Sequence, residues 1–257
     1  MTPSHARARA AILALAALPA GGEAQPAARS GAADRFEIAV TIDDVPWSGA
    51  ASPRGPALQA ATERLLAPLS SRGVPAVGFV NCDRVEDVEV LRLWIAAGFE
   101  LGNHSAAHLD LNRAPLDAWL DDVRRCDRFL RDATGAPVRY FRFPYLHRGP
   151  TVERRAAARA LLDSLGVRAA SVSVDNSEWI LAAAYADALG RGETKRAGEI
   201  ARLYVEHVVG AVEHFREVAR RKVGRDVRHV GGEGGADQQE RRPEPEREPS
   251  EAVVAAR

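Results

Sequence analysis

The chain has 257 residues, 46% of them hydrophobic and 27% charged, with 35 basic and 35 acidic side chains. That length accommodates one α/β barrel or two small domains with a sizeable core. The zero net charge argues against a dedicated nucleic-acid binder, which carries a basic excess or stripe.

The first residues read MTPSHARARAAILALAALPAGGEAQ. His5, Arg7 and Arg9 form a basic region, Ala10 to Ala20 a short apolar one, and Gly22-Glu23-Ala24 offers small residues where a signal peptidase cuts. The expectation is a secretory signal over 1–24, too short to span a bilayer, then a linker over 25–35. A plain Ala-rich tail is the bland alternative. An exported protein would work in the periplasm or outside the cell.

From Phe36, FEIAVTIDD has the apolar, β-branched look of a buried strand. Thr62 to Ser70 reads as a helix, and VPAVGFV (74–80) as a second strand. A helical stretch through Trp94 and Ala97 stops at Gly98, and FELGN gives a third strand. Pro115 to Asp132 is amphipathic, with Trp119, Val123 and Leu130 available for burial. VRYFRFPY (138–145) and VRAASVSVD (167–175) read as strands four and five, separated by a helix over Arg154 to Leu165. Ile200, Leu203, Tyr204, Val208, Val212 and Phe215 mark a long amphipathic helix. Strands alternating with helices at this rhythm mean a parallel sheet or (β/α) barrel. From Gly231 the sequence turns to Gly, Glu, Arg and Pro without apolar period, so 231–257 reads as a disordered tail. A strand is expected after the long helix, and the pattern offers none. The two cysteines, Cys82 and Cys126, read as buried thiols rather than a disulfide framework.

Chemistry gathers at the strand ends. Asp43-Asp44 closes the first strand, where two adjacent carboxylates reach one site only if the strand bends. His104 and His108, four apart, would share one face of a helical turn, within reach of one ion. Two surface histidines and a solvated acid pair are the bland readings. Two imidazoles and one carboxylate would make a zinc site with a position left open, and the second carboxylate would serve as a base. Arg142 could orient that base, or merely neutralise a buried acid. A metallo-phosphohydrolase reading is weak, because no phosphate-cradling glycine loop or basic cluster lies near the acids.

TIDD (41–44), HSAAH (104–108) and RFPY (142–145), in this order, closely resemble the first three motifs of the polysaccharide deacetylases, the NodB-homology enzymes of carbohydrate esterase family 4. DNSEW (175–179) looks like a variant of the fourth, and the resemblance runs over 36–230. It implies a distorted (β/α) barrel, here without its last strand. It implies Asp44, His104 and His108 as ligands of a divalent metal, usually zinc, though cobalt or manganese suits the same donors. Asp43 would be the general base, Arg142 its holder, and the backbone N–H of Tyr145 an oxyanion donor. Asp175 would orient a catalytic histidine, and Trp179, with Tyr145, would line the acetyl pocket. The activity implied is hydrolysis of N-acetyl or O-acetyl groups on a carbohydrate such as peptidoglycan or chitin-like oligomers. The alternative is a non-catalytic carbohydrate-binding pseudoenzyme with the same fold and metal site. The family's fifth motif, a strand ending in Leu-x-His whose histidine protonates the leaving group, has no counterpart. His229 precedes its place, His147 lies close to RFPY without motif support, and His207 and His214 read as ordinary helix-face residues. The end of the chain therefore looks cut short, as a shifted reading frame would leave it, and amide hydrolysis is expected to suffer more than ester hydrolysis.

Overall fold

The computed structural model describes residues 36–47 and 53–233. The expected signal at 1–24, the linker at 25–35 and the tail beyond Glu233 lie outside the described residues. Among those described, no helix is long and apolar enough to cross a membrane.

Six strands form one parallel sheet in the order β5-β4-β3-β2-β1-β6. They are β1 (Ile38–Val45), β2 (Ala76–Val80), β3 (Glu100–Asn103), β4 (Tyr140–Phe141), β5 (Arg168–Ala169) and β6 (His229–Glu233). The helices are α1 (Pro56–Ser71), α2 (Glu89–Ala96), α3 (Leu116–Thr134), α4 (Val152–Leu165), α5 (Trp179–Gly190) and α6 (Thr194–Val223). The sheet curls into a half-barrel with helices around it, the distorted (β/α) barrel expected. Parallel neighbours require crossover connections, and the helices supply them.

Periodicity explains which faces are buried. On α3, Trp119, Val123, Cys126 and Leu130 recur at three- and four-residue steps and lie in the core, while Gly135 caps the helix in the left-handed conformation. On the sheet side, Val80, Leu101 and Phe141 meet Trp94, Trp119 and Leu91 in one continuous core. Gly78 is needed there: a Cβ would stand 2.9 Å from the Trp94 ring. A second, smaller cluster of Ala188, Ala197 and Ile200 joins α5 to α6. Helix α5 is absent from the sequence reading, because ILAAAYADAL is apolar nearly all round and shows no stripe.

Two expectations are corrected. A strand does follow the long helix: His229–Glu233 runs parallel to β1, with Ile38 opposite His229 and Ile42 opposite Glu233. Backbone groups make this ladder, and Gly231 and Gly232 carry no side-chain pattern to announce it. Residues 231–233 thus belong to the sheet and not to a tail. The chain enters β6 past a clasp in which Arg216 and Arg220 on α6 both donate to Asp226, Arg216 Nε at 3.0 Å and Arg220 Nη2 at 2.9 Å. Nor are Cys82 and Cys126 free thiols. They form a disulfide with Cα atoms 5.4 Å apart, joining the turn after β2 to α3.

Removing that bridge should cost about 2–4 kcal/mol, read as a fall of roughly 5–15 °C in Tm for Cys82→Ala/Cys126→Ala; an unchanged melt would show the bridge is not formed in solution. The bonds from Arg216 and Arg220 hold the Asp226 carboxyl below the usual carboxylate range. A depressed pKa adds stability that is present above about pH 4 and lost as pH falls through the folded-state value. Urea midpoints of wild type and Asp226→Asn should therefore differ at pH 7 and converge in acid, and a gap that widens in acid would contradict the clasp.

Candidate metal and catalytic site

The site assembles at the C-terminal ends of β1, β2, β3 and β4. The bend required of Asp43-Asp44 is present: the register between β1 and β2 shifts between Ile42 and Val45, and Asp44 has φ 60°. Left-handed backbone interrupts the pleat, so both carboxylates come to the same side of the sheet's end. His104 and His108 are not on a helix. They bracket a loop in which Ser105 and His108 have φ 62° and 57°, and their ring centroids are 4.9 Å apart. The spacing is i,i+4, but it is loop geometry that makes the rings converge.

Hydrogen bonds to backbone fix that loop. His104 N–H donates to Val80 O at 3.0 Å, Cys82 N–H to Ser105 O at 3.3 Å and Asp83 N–H to Ala106 O at 3.0 Å. From α3, the Asp122 carboxylate accepts the Ala107 N–H at 2.9 Å. Asn103 accepts the Ser105 N–H at 2.8 Å and donates to Val123 O at 2.9 Å.

Asp44, His104 and His108 are all buried, and each offers a ligand atom within 4.8 Å of the others. His104 Nε2 and His108 Nε2 lie 3.9 and 3.6 Å from Asp44 Oδ1. His104 Nδ1 lies 2.8 Å from Arg142 O, so the tautomer that donates there leaves Nε2 as a lone pair facing Asp44. Burial pushes the His104 pKa down to about 4 against the pull of Asp44, which keeps the imidazole neutral. Burial works to raise the Asp44 pKa, yet His104, His108 and Arg84 outweigh it and hold the carboxyl low. Two imidazoles beside an ionised carboxylate suit a divalent cation. Asn81 also donates to Asp44 Oδ1, and Arg84 Nη1 stands 3.8 Å from it.

Asp43 sits beside this cluster. Its Oδ2 accepts from Arg142 Nη1 at 3.3 Å, while its buried Oδ1 has no protein partner. Burial pushes its pKa up to about 6 despite the opposing charge of Arg142. The Arg142 side chain is fully enclosed: Nη2 donates to Thr41 Oγ1 at 3.0 Å, and the guanidinium lies 4.6 Å over the Phe79 ring. Thr41 in turn donates to Gly231 O at 2.7 Å, so β6 is tied to the arginine through one hydroxyl. A Cβ at Gly232 would come 2.9 Å from Arg142 Nη1.

Tyr145, at φ 58°, places its ring 4.6 Å from that of His108. Asp43, Asp175, Glu178, Trp179, Leu146 and Gly232 line one cleft. Asp175 is exposed and its Oδ1 accepts the Ser177 N–H at 3.4 Å. Among the described residues, no histidine lines the cleft. His147 turns instead to Asp110, with Nδ1 2.9 Å from its carboxylate, and buried His229 lies against Phe36 and Ser173. His207 meets Asn176 O and so buttresses the turn before α5; His214 packs beside Phe215. Asn81, Asn103, Asp122 and Thr41 escaped the sequence reading. Asn81 and Asn103 each close an apolar strand, and that was the available signal.

The family model described as polysaccharide deacetylase matches residues 30–169. Among solved structures, the chitin deacetylase from the fungal pathogen Colletotrichum lindemuthianum is 22% identical, with a TM-score of 0.53 over 79% of this chain and 74% of that one. The peptidoglycan deacetylase PdaC from Bacillus subtilis is 19% identical, with a TM-score of 0.46 over 80% and 91%. A carbohydrate esterase family 4 pseudoenzyme from Bacillus anthracis is 18% identical, with a TM-score of 0.49 over 80% of this chain and 58% of that one. This chain thus spans less than two thirds of the pseudoenzyme's length.

Purified protein incubated with zinc should retain about one equivalent, and His104→Ala and His108→Ala should each lose it, as elemental analysis after gel filtration would measure. Equal metal in all three proteins would remove the site.

Proposed function

Because the chain belongs to the polysaccharide deacetylase family, we propose that it is a metal-dependent hydrolase that removes acetyl groups from a carbohydrate. The substrate class proposed is an N-acetylated or O-acetylated polymer or oligomer of the peptidoglycan or chitin type. The observation that carries this reading is the pairing of a three-donor cluster with an adjacent carboxylate that is not part of it. Asp44, His104 and His108 would hold the cation, with zinc the best match to two imidazoles and one carboxylate. Bound there, a divalent cation supplies Lewis acidity, drawing electron density from an oxygen ligand.

The protein groups do the rest. Asp43, which lines the cleft and whose Oδ1 has no protein partner, accepts the proton of the attacking water. Arg142 keeps Oδ2 occupied, so that one oxygen alone is available to the reaction. The Tyr145 peptide, on its left-handed turn beside His108, would donate to the oxygen that gains charge. Trp179 would form an apolar wall for the acetyl methyl group.

A site of action outside the cytoplasm is part of the proposal. It rests on the basic and apolar pattern of residues 1–24, and a disulfide is a bond that persists in oxidising compartments. The cleft without a lining histidine favours a second reading, a carbohydrate-binding pseudoenzyme that holds polymer without turnover.

One pair of variants tests the division of labour. Asp44→Asn should weaken cation binding by about 10-fold or more, whereas Asp43→Asn should keep the cation and lose about 10²–10⁴ in kcat. Calorimetric zinc titration beside acetate release from N-acetylglucosamine oligomers would measure both. Metal loss in Asp43→Asn with retention in Asp44→Asn would reverse the roles, and polymer retention without acetate from wild type would establish the pseudoenzyme.

A further inference from the structure

We infer that Arg84 is a positioning residue that competes with the divalent cation for Asp44 and so sets how tightly this chain holds its metal. The inference rests on the metal-dependent reading of the site and adds to it a means of exchanging the cation. Nothing in the three ligands alone would make that hold adjustable. A fixed charge beside one of them does.

Four groups converge on one oxygen, Asp44 Oδ1. His104 Nε2, His108 Nε2 and Arg84 Nη1 stand 3.9, 3.6 and 3.8 Å from it, and Asn81 donates a hydrogen bond to it. Asn81 is fully buried, so the orientation of the carboxylate is secured by that amide. At 3.8 Å the guanidinium stands beyond hydrogen-bond distance, and what it brings to Oδ1 is charge. The other guanidinium of the site, Arg142, is engaged with Asp43 and Thr41 instead. A positive charge beside Asp44 acts in two opposite senses. Without a cation it compensates a buried carboxylate, whose charge is costly to keep from water. With a cation bound to the same oxygen it repels, and repulsion in a buried site is only weakly screened. A guanidinium stays protonated in proteins, so it cannot relieve the repulsion by giving up a proton.

The turn after β2 builds this arrangement. Arg84 ends the tight turn Cys82–Arg84, and its N–H donates to Asn81 O at 3.0 Å. Cys82 is bonded to Cys126 on α3, and Asp83 Oδ2 accepts from Arg125 Nη2 of the same helix at 2.9 Å. The backbone beneath Arg84 is therefore held on both sides. Its side chain is less confined, 30% exposed against 3% for Asp44. A long flexible side chain on a fixed stem can draw back along its path to water while the turn stays in place. Arg84 can thus stand against Asp44 or yield to a cation without disturbing Asn81 or the histidine loop.

The test reads metal binding directly. Chelator-treated wild type, Arg84→Met, Arg84→Lys and His104→Ala would be titrated with zinc by calorimetry. Arg84→Met should bind zinc about 10-fold or more tightly than wild type, whereas Arg84→Lys, which keeps the charge, should stay within about 3-fold. In melts without metal Arg84→Met should fall below wild type, and zinc should raise its Tm by the larger amount. A residue that merely supports the fold would lower metal affinity and Tm together. Arg84→Gln should repeat the gain, and it decides the matter if Arg84→Met does not fold. Unchanged or weaker zinc binding in the neutral variants would overturn the inference, and so would equal tightening in Arg84→Lys. In either case the metal site itself would stand, provided His104→Ala loses zinc. A wild type that binds zinc no better than His104→Ala would overturn the metal-dependent reading and this one with it.

Discussion

The buried guanidinium of Arg142 is the constraint on which the rest of the site depends. Its side chain holds Asp43, its carbonyl orients His104, and its N–H bonds to Asn103 O at 2.9 Å. One residue at the end of β4 thus sets the direction of the base and of one metal ligand together. A cation with no water around it is costly to bury, and the fold offsets that cost with a carboxylate, a hydroxyl and the face of an aromatic ring. Moving any of these partners leaves the charge uncompensated. The position is therefore stiff, and the geometry of Asp43 and His104 is stiff with it.

Around this fixed point the backbone adopts left-handed conformations at residues that are not glycine. Asp44, Ser105, His108, Tyr145, Leu146 and Ser177 account for all of them among the described residues, and every one lies at the site or its cleft. Such conformations cost of order 1–3 kcal/mol each and persist where the surroundings over-determine them. Here the surroundings are the disulfide, the peptide bonds from the turn after β2, and Asp122 from α3. Stability stored in the core is spent on aiming side chains at the rim.

Much of this was legible in the sequence. The strand–helix alternation gave the parallel sheet, and TIDD, HSAAH and RFPY marked the ends of β1, β3 and β4. Those signals are local, and each survives in the fold. What escaped is non-local. The disulfide depends on two cysteines meeting across 44 residues, which no spacing rule reveals. Strand β6 is held by backbone pairing at glycines that a hydrophobic pattern ignores. The converging histidines suggested a helix, because the i,i+4 rule knows nothing of residues with positive φ.

The outer strand of the sheet has a bearing on assembly. Strand β5 is two residues long, and both Arg168 and Ala169 are exposed. An open parallel sheet ordinarily offers its free border as a template for a foreign strand, and chains that meet there can add on without limit. Two residues give too little ladder to capture one, and the Arg168 guanidinium, folded 5.3 Å over the Tyr140 ring, places charge at the border. A half-barrel can in this way keep an open border without inviting copies of itself to fill it.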